Sequence, residues 1–334
     1  MDLLHNQSNP ITAAIRREEG SQGPFVRKVI TCTQPATHVD WSVSHEPSDW
    51  RYWRREAHVY EEGLQHAFAP EGLRGPQLLG LDDRGDTVEL RLELVRGVSG
   101  ALSVASLSDI AERLGAAQGR WAHLPRPQPW LTRGFVRGHI ASKHVDTSAL
   151  HDDRCWDHPL IASTWPASLR GGLRRLADAQ PALLAALDGA PRTLCHLDLW
   201  GHNLVVSDTG PVLLDWACLG HGALGEDLSN LVIEAVLDGL LPPEAMADTG
   251  AQLFEAYQRG VASSSRCPPA AVRLGFLAAA VKWVWLGPLH LQRALTGEHH
   301  VYGGGKESDP STQYRARGLA LSQVVAWADE ALGA

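Results

Sequence analysis

The segment from Leu194 to Val206 decides the fold and reads LCHLDLWGHNLVV. It places His196, Asp198 and Asn203 at the spacing H-x-D-x-x-x-x-N, directly before a short apolar run. Each of these residues alone would more often close a turn or cap a helix than take part in chemistry. Their order, and their position immediately before a predicted strand, indicate a shared function.

Two short apolar runs belong to this segment and its continuation, Leu204–Val206 and Val212–Leu214. The residues between them, Ser-Asp-Thr-Gly, favour a tight turn, so we predict a β-hairpin. A hairpin brings its outer ends together, which makes Asn203 and Asp215 neighbours in space. Asp198 lies on the loop just before the first strand. The sequence therefore predicts three oxygen-bearing side chains at one edge of the hairpin.

This grouping of side chains is the one that phosphoryl transfer requires. One carboxylate orients the attacking hydroxyl and accepts its proton, while a second carboxylate and an amide oxygen hold Mg²⁺ against the phosphates. The pattern therefore indicates a kinase with magnesium as cofactor and ATP or GTP as co-substrate. The side chains do not choose between the two nucleotides.

The chain resembles the aminoglycoside phosphotransferase and choline kinase family, which has the protein-kinase-like fold. The matching residues are His196–Asp198 with Asn203, Leu214–Trp216 and Gly225–Ser229. Where the family commonly has glycine, this chain has Leu197, which restricts the backbone but removes no functional side chain.

The resemblance implies a role for each matched residue. Asp198 is expected to be the catalytic base, and Asn203 and Asp215 are expected to bind magnesium. His196 is expected to support the loop structurally. Asp227 is expected to lie at a helix N-terminus and to bond backbone amides there.

The chain as a whole divides into two predicted parts, an α+β arrangement typical of a two-lobed, protein-kinase-like fold. Residues 1–95 are predicted to form a small, β-rich N-lobe that binds the nucleotide. Its predicted elements are the strands Ile11–Ile15, Phe25–Thr31 and Thr87–Leu94 and the helix Trp50–Leu64. A linker, Leu94–Gly100, follows.

Residues 96–334 are predicted to form a large helical C-lobe with the catalytic loop and the acceptor site. Apart from the hairpin, the apolar spacing predicts helices. These helices are Leu107–Leu114, Leu169–Leu187, Ala223–Leu240, Pro242–Gly260, Pro268–Arg293 and Thr312–Leu332.

The resemblance also implies a phosphate-binding lysine on a strand of the N-lobe, paired with a glutamate on the following helix. Lys28 and Glu56 fit these positions. Lys28 shares a strand face with apolar Val26, and an inward lysine requires an acidic partner. Without the carboxylate motif, both would be read as solvent-exposed charges.

Further nucleotide contacts are expected at two loops. Ser8 and Asn9 lie in the candidate loop over the phosphates, where small polar residues can present backbone amides. An ordinary turn is the alternative there. Glu93 and Val95 match the hinge between the lobes, where backbone groups would meet the purine edge.

The acceptor side is indicated by charge and by aromatic residues. Between Asp215 and Tyr257 the chain has eight acidic residues and no Lys or Arg, which would attract a cationic acceptor. Glu234 belongs to this set, although a solvated helix face explains it too. Trp283 and Trp285 are candidates to line the acceptor pocket, although such tryptophans more often lie in the core. Residues 134–165 are interpreted as a possible lid or acceptor loop.

Composition excludes several classes of function. Thirty basic and 38 acidic residues give a net charge of -8, which argues against nucleic-acid and anionic-membrane binding. The five cysteines are scattered without a C-x-x-C pair, which disfavours disulfides and zinc. We therefore expect a cytoplasmic protein, monomeric or homodimeric, whose partners are a nucleoside triphosphate and a small hydroxyl-bearing acceptor.

The identity of the acceptor stays open at this point. An antibiotic of aminoglycoside, aminocyclitol or nucleoside type, phosphorylated for resistance, is our leading hypothesis. A sugar, a choline-like alcohol or a nucleoside in metabolism is the alternative. A nucleotide-binding pseudokinase is disfavoured by the intact set of Asp198, Asn203 and Asp215. A protein kinase is disfavoured because no Ala-Pro-Glu segment follows Asp215.

Overall fold

The computed structural model describes residues 9–21, 23–34, 42–298 and 309–333. Its strands, in chain order, are β1 (Thr12–Gly20), β2 (Gly23–Thr31), β3 (Leu78–Asp83), β4 (Thr87–Glu93), β5 (Val98–Ser99), β6 (Arg192–Cys195), β7 (Leu204–Ser207), β8 (Gly210–Leu213) and β9 (Gly220–Ala223). Its α-helices are α1 (Arg55–Glu61), α2 (Val104–Trp121), α3 (Phe135–Ala141), α4 (Asp153–Trp156), α5 (Pro159–Thr164), α6 (Leu169–Gly189), α7 (Glu226–Leu237), α8 (Met246–Ser264), α9 (Pro269–Ala278), α10 (Leu286–Thr296) and α11 (Pro310–Gly333).

The N-terminal part is an antiparallel sheet in the order β1–β2–β4–β3. In the central strand β2, Lys28 pairs with Ile15 on one side and with Leu90 on the other. Side chains two residues apart share a face, so Lys28 and Ile30 lie on the same face, and both are buried. The lysine therefore points into the molecule, as the sequence predicts.

Two elements of this part differ from the sequence prediction. Strand β3 was not predicted, because it is a half-exposed edge strand that carries two acidic residues at its end. The predicted helix Trp50–Leu64 is shorter: α1 begins at Arg55 and ends at Glu61. Gly63 follows in the left-handed conformation with φ 72°, which stops the helix.

The predicted hairpin is confirmed as β7 and β8, with Leu204 opposite Leu213. Strand β5 adds to it, so Val98 and Ser99 of the predicted linker are paired with Val206 and Val205. Strands β6 and β9 pair as a separate two-stranded sheet and were not predicted, since β9 reads Gly-His-Gly-Ala and has no strand-like apolar pattern. The lobe boundary between residues 95 and 96 stays a prediction.

The predicted helices are present with changed ends. The single helix predicted from Pro268 to Arg293 is instead α9, a 3₁₀ segment Ala279–Trp283 and α10. Pro288 lies in the first turn of α10, where a missing N–H is tolerated and a new helix begins. By length and composition, Pro269–Thr296 is apolar enough to span a membrane, but 78% of its most apolar window is buried inside the fold.

The segment 134–165 consists of short helices packed against the helical part. The Trp165 indole donates to the Tyr314 carbonyl over 3.0 Å, and Gln292 donates to the Asp146 carbonyl over 2.8 Å. Trp156 and Ile161 are buried. These contacts pack the segment against the helical part at several points, and its role as a lid or acceptor loop stays a prediction.

Candidate active site

The loop between β6 and β7 brings Asp198 and Asn203 together. The Asn203 amide donates to the carboxylate Oδ2 of Asp198 over 3.0 Å and to its carbonyl over 2.9 Å. The chain turns in a 3₁₀ segment, Gly201–Asn203, immediately before β7. The bond to Oδ2 restricts the rotation of the Asp198 side chain, which is what a residue that orients a hydroxyl requires.

Asp215 follows β8 at the other end of the hairpin, as the sequence predicts. The backbone N–H of Leu214 donates to the Asn203 carbonyl over 2.8 Å, which holds the two ends together. Asp215 has φ 57°, in the left-handed region that non-glycine residues rarely adopt. Such strain is typical of functional sites, where surrounding contacts hold it.

The Lys28 ammonium lies between two carboxylates. Its Nζ is 2.6 Å from Glu56 Oε2 and 3.0 Å from Asp215 Oδ1. Burial alone would lower the pKa of Lys28, but the charges of Asp215 and Glu56 outweigh burial and raise it. Burial likewise opposes ionisation of Asp215, yet the Lys28 charge keeps the pKa of Asp215 below its ordinary value. Lys28 and Asp215 thus favour each other's charged forms, whereas burial raises the pKa of Glu56.

Asp198 has the electrostatics of a base that works near neutral pH. Burial raises the pKa of Asp198 to about 7, and the negative charge of Asp215 acts in the same direction. General bases are most effective when their pKa lies near the working pH.

Asp227 holds the loop between β6 and β7 by hydrogen bonds to its backbone. Its Oδ1 accepts from the Leu197 N–H over 2.7 Å, and its Oδ2 accepts from the His196 N–H and from Gln118, each over 2.7 Å. Asp227 lies in the first turn of α7, as predicted. The amides that it bonds, however, are not those of its own helix but those of the loop between β6 and β7. Leu197 has φ 67°, so these bonds also hold a strained peptide where the family commonly has glycine.

His196 is fully buried and supports the loop from inside. Its Nε2 bonds the Leu214 carbonyl over 2.9 Å, and its Nδ1 accepts from the Asp198 N–H over 3.3 Å. Burial lowers the pKa of His196 to about 4, so the ring is neutral. The ring also packs edge-on against Trp216, with 4.9 Å between centroids.

The structure describes three of the four other residues that are predicted to contact the nucleotide. Ser8 lies outside the described residues, and the Asn9 side chain accepts from the Ile11 N–H over 2.9 Å, an ordinary turn before β1. The Glu93 N–H donates to the Gln77 carbonyl over 2.9 Å, and the expected contact of the hinge backbone with a purine stays a prediction. Val95, half-buried beyond the end of β4, is free of that sheet pairing.

The expected tryptophans lie in the core. Trp283 is 1% exposed and Trp285 is 7% exposed, as the core alternative predicts, and a contact of either ring with an acceptor stays a prediction. Both rings pack around His139, at centroid distances of 6.4 Å and 6.2 Å. The spacing of the two residues places them on different helix faces, but this segment is buried on every side.

Five of the eight acidic residues between Asp215 and Tyr257 fall into two groups. Glu234 and Asp238 are buried at the C-terminal end of α7, whereas Glu244, Asp248 and Glu255 are exposed. Burial raises the pKa of Glu234 to about 8 and that of Asp238 to about 6. Among the described residues, neither carboxylate oxygen of Asp238 has a hydrogen-bond partner. A buried acid without a hydrogen-bond partner is unusual and calls for an explanation, such as a bound water molecule or ion.

Sequence reasoning missed Arg55, the fully buried first residue of α1. All five of its N–H groups donate to backbone carbonyls. The acceptors are those of Pro47, Asp49, Trp50, Trp130 and Ala217, at 2.5–3.0 Å. These bonds fix α1, and with it Glu56, to the segment that follows Asp215. No local pattern signals this, since an arginine at a helix start usually faces solvent.

Comparison with protein families identifies the chain. The model of the phosphotransferase enzyme family, APH, matches residues 26–262. The chain belongs to this family. It is therefore a phosphotransferase that acts on a hydroxyl acceptor, as the sequence predicts.

Solved structures support the fold of this phosphotransferase. The chain is similar to the amicoumacin kinase hAmiN in complex with AMP-PNP, Ca²⁺ and Ami, with TM-score 0.55 and 12% identity over 97% of this chain and 87% of that one. The likeness confirms the predicted two-lobed α+β fold.

Two other structures are less similar to the phosphotransferase. The aminoglycoside phosphotransferase APH(3'')-Id from Streptomyces rimosus, in complex with ADP and streptomycin, has TM-score 0.43 and 18% identity over 84% of this chain and 92% of that one. A choline/ethanolamine kinase family protein from Mesorhizobium loti has TM-score 0.46 and 16% identity over 96% and 94%. A search of proteins with curated functions finds no significant match.

We predict that Asp227→Asn weakens the phosphotransferase in both stability and activity. The amide cannot accept three hydrogen bonds, and leaving a buried donor unsatisfied costs about 1–3 kcal/mol. We expect the midpoint of thermal unfolding to fall by several degrees and turnover to fall at least tenfold. The matched control is Asp248→Asn on the exposed face of α8. Equal melting of the two variants would contradict the anchoring role.

Proposed function

We propose that this phosphotransferase transfers the γ-phosphate of ATP or GTP to a hydroxyl of an amine-bearing antibiotic of aminoglycoside, aminocyclitol or nucleoside type. The observation that carries the proposal is the meeting of Asp198, Asn203 and Asp215 at one end of a hairpin, beside Lys28. We further propose that the enzyme acts in the cytoplasm, as a monomer or homodimer.

In the proposed reaction, Asp198 is the base. The Asn203 amide holds Oδ2 of Asp198. The other carboxylate oxygen of Asp198, Oδ1, would accept the proton of the acceptor hydroxyl as the hydroxyl oxygen attacks the γ-phosphorus. A base positioned in this way contributes about 10²–10⁴-fold in rate. The pKa of about 7 supports the role, because the carboxylate can take up a proton and release it at neutral pH.

The donor set fits a magnesium ion held jointly with the nucleotide. Mg²⁺ is usually bound by one or two carboxylates plus substrate phosphates. Asp215 would supply the carboxylate, and Asn203 the amide oxygen, since its nitrogen is already bonded to Asp198. Among the described residues no group of three or more His, Cys, Asp or Glu side chains could hold a metal alone. When bound, the ion would neutralise charge on the transferred phosphate.

Lys28 would supply the remaining positive charge toward the phosphates. Glu56 holds its ammonium in place at 2.6 Å. Backbone groups near Val95 are proposed to face the purine base, and backbone recognition serves ATP and GTP alike. The solved amicoumacin kinase was bound to AMP-PNP and Ca²⁺, which supports a nucleotide and a divalent ion for this chain.

The acidic pair Glu234 and Asp238 supports an acceptor that carries amino groups. Both lie on the helix that anchors the catalytic loop, and the charge of Asp198 acts on Glu234. An ammonium group on the acceptor would provide the partner that the Asp238 oxygens lack among the described residues. A neutral sugar would leave these carboxylates without a partner, and a choline-like cation would offer them no N–H donor.

We predict that Asp198→Asn lowers turnover by at least about 10²-fold, because the amide cannot accept the proton. Nucleotide affinity should change little. The measurement is phosphate transfer from ATP and GTP over a panel of aminoglycosides, aminocyclitols, nucleosides and sugars, followed by a mass gain of one phosphate.

The matched control is Asp208→Asn in the exposed turn of the hairpin, which should behave like the wild type. Unchanged turnover in Asp198→Asn would contradict the proposed base. Transfer to sugars but to no amine-bearing compound would contradict the proposed acceptor class.

A second prediction concerns Asp238→Asn, which should stabilise the protein above pH 6 and weaken acceptor binding. The pKa of Asp238 is raised to about 6 in the folded state from an ordinary 3.8, so the folded state binds the proton more tightly than the unfolded state. The wild type therefore loses stability as pH rises from about 4 to 6. The variant lacks this loss.

Thermal unfolding at pH 8 and at pH 4.5 tests this prediction. We expect a higher unfolding midpoint for Asp238→Asn at pH 8, a smaller gain at pH 4.5, and a raised KM for the acceptor with an unchanged KM for ATP. A lower midpoint at pH 8 would show that the carboxylate is stabilised within the protein.

A further inference from the structure

Lys282 is a buried lysine beneath the catalytic loop. It lies in the 3₁₀ segment Ala279–Trp283 and is 5% exposed. Its ammonium donates to Asn230 Oδ1 over 2.6 Å and lies 4.6 Å and 5.1 Å from the ring centroids of Trp283 and Phe135. A buried ammonium is costly unless it is bonded, and cation–π contacts compensate it only in part. The bond to Asn230 is therefore a firm constraint on both residues.

Asn230 links Lys282 to the loop between β6 and β7. It lies on α7, is 6% exposed, and donates its side-chain N–H to the Leu199 carbonyl over 2.9 Å. Leu199 directly follows Asp198. The amide of Asn230 thus has its oxygen fixed by Lys282 and its nitrogen fixed to the peptide next to the proposed base.

The loop is consequently held on both sides of Asp198 by one helix. Asp227 binds the peptides that precede Asp198, and Asn230, one turn later on α7, binds the peptide that follows it. Each anchor is itself fixed by a polar side chain from another element, Gln118 for Asp227 and Lys282 for Asn230.

A small cavity next to these anchors would give the Asn230 side chain room to turn if the lysine were removed. A cavity of about 10 Å³ adjoins Leu197, Asn230 and Lys282. A cavity of this size is close to the minimum that accommodates one water molecule. Without the ammonium, the Asn230 amide could turn toward this space and release the Leu199 carbonyl.

We propose that Lys282 is a positioning residue for phosphoryl transfer, which acts through Asn230 on the Leu199 peptide and so fixes the direction of the Asp198 carboxylate. This inference rests on the proposed function, because the orientation of Asp198 matters only if it serves as the base. Lys282 is buried, at 5% exposed, so its proposed contribution is indirect.

The test is a double-mutant cycle of Lys282→Met and Asn230→Ala. Turnover is measured with Mg²⁺-ATP and the acceptor identified by the panel, and also by ATP hydrolysis with water as acceptor. A misplacement of about 1 Å can cost about 10²-fold in rate. We expect each single variant to lose 10- to 100-fold in kcat with the KM for ATP unchanged within about twofold, and the double variant to lose no more than Asn230→Ala alone.

Hydrogen exchange followed by mass spectrometry supplies a readout that does not depend on activity. Residues 195–203 should exchange faster in both single variants, while the N-terminal sheet keeps its protection. The matched control is Lys143→Met, which removes another lysine stacked on an indole, 4.9 Å from Trp285. It should leave kcat and exchange in 195–203 unchanged.

Wild-type kcat and wild-type exchange in Lys282→Met, with Asp198→Asn inactive, would overturn this inference and leave the proposed function intact. Losses that add in the double variant would overturn it too, since the two residues would then act separately. If Asp198→Asn stayed active, the proposed function would fail, and exchange in residues 195–203 alone would decide whether Lys282 positions the loop. Asn230→Ala keeps the lysine and decides the question if Lys282→Met does not fold.

Discussion

The position of the Lys28 ammonium between Glu56 and Asp215 is the contact on which the site depends. It joins β2, α1 and the segment after β8, three elements that are far apart in sequence. A buried charge that loses its partner is strongly destabilising, so these elements keep one arrangement. Arg55 strengthens it, because it bonds the start of α1 to the Ala217 carbonyl, two residues beyond Asp215. The charge proposed to bind phosphate and the proposed metal ligand are therefore positioned together by contacts within the protein.

Helix α7 organises the other half of the site along one face. Asp227, Asn230, Glu234 and Asp238 follow one another at spacings of three and four residues, so they share one side of the helix and its C-terminal cap. The first two hold the loop between β6 and β7, and Glu234 and Asp238 are buried acids that we propose to face the acceptor. Helix α7 thus connects the residues that orient Asp198 with the acids proposed to bind the acceptor. A substitution at either end of the helix is therefore expected to affect both turnover and acceptor binding.

The sequence predicted the parts of this account that depend on short-range pattern. The hairpin, and with it the approach of Asn203 and Asp215, follows from a turn between two apolar runs. The Lys28–Glu56 pair came from the family resemblance, because a lysine on a strand and a glutamate on a helix do not reveal one another. Arg55 and Lys282 were missed, since their partners are backbone carbonyls and an amide that only the tertiary fold brings near. Spacing alone could not decide between core and pocket for Trp283, because it does not show that a helix is buried on every side.

Diffraction from crystals grown with AMP-PNP and Mn²⁺, recorded at the manganese absorption edge, tests the central claim most directly. We expect an anomalous peak bonded to the Asp215 carboxylate and the Asn203 amide oxygen, next to the nucleotide phosphates, with Lys28 on the same phosphates. Bound nucleotide whose manganese peak touches neither residue, or nucleotide bound away from Lys28, would contradict the account.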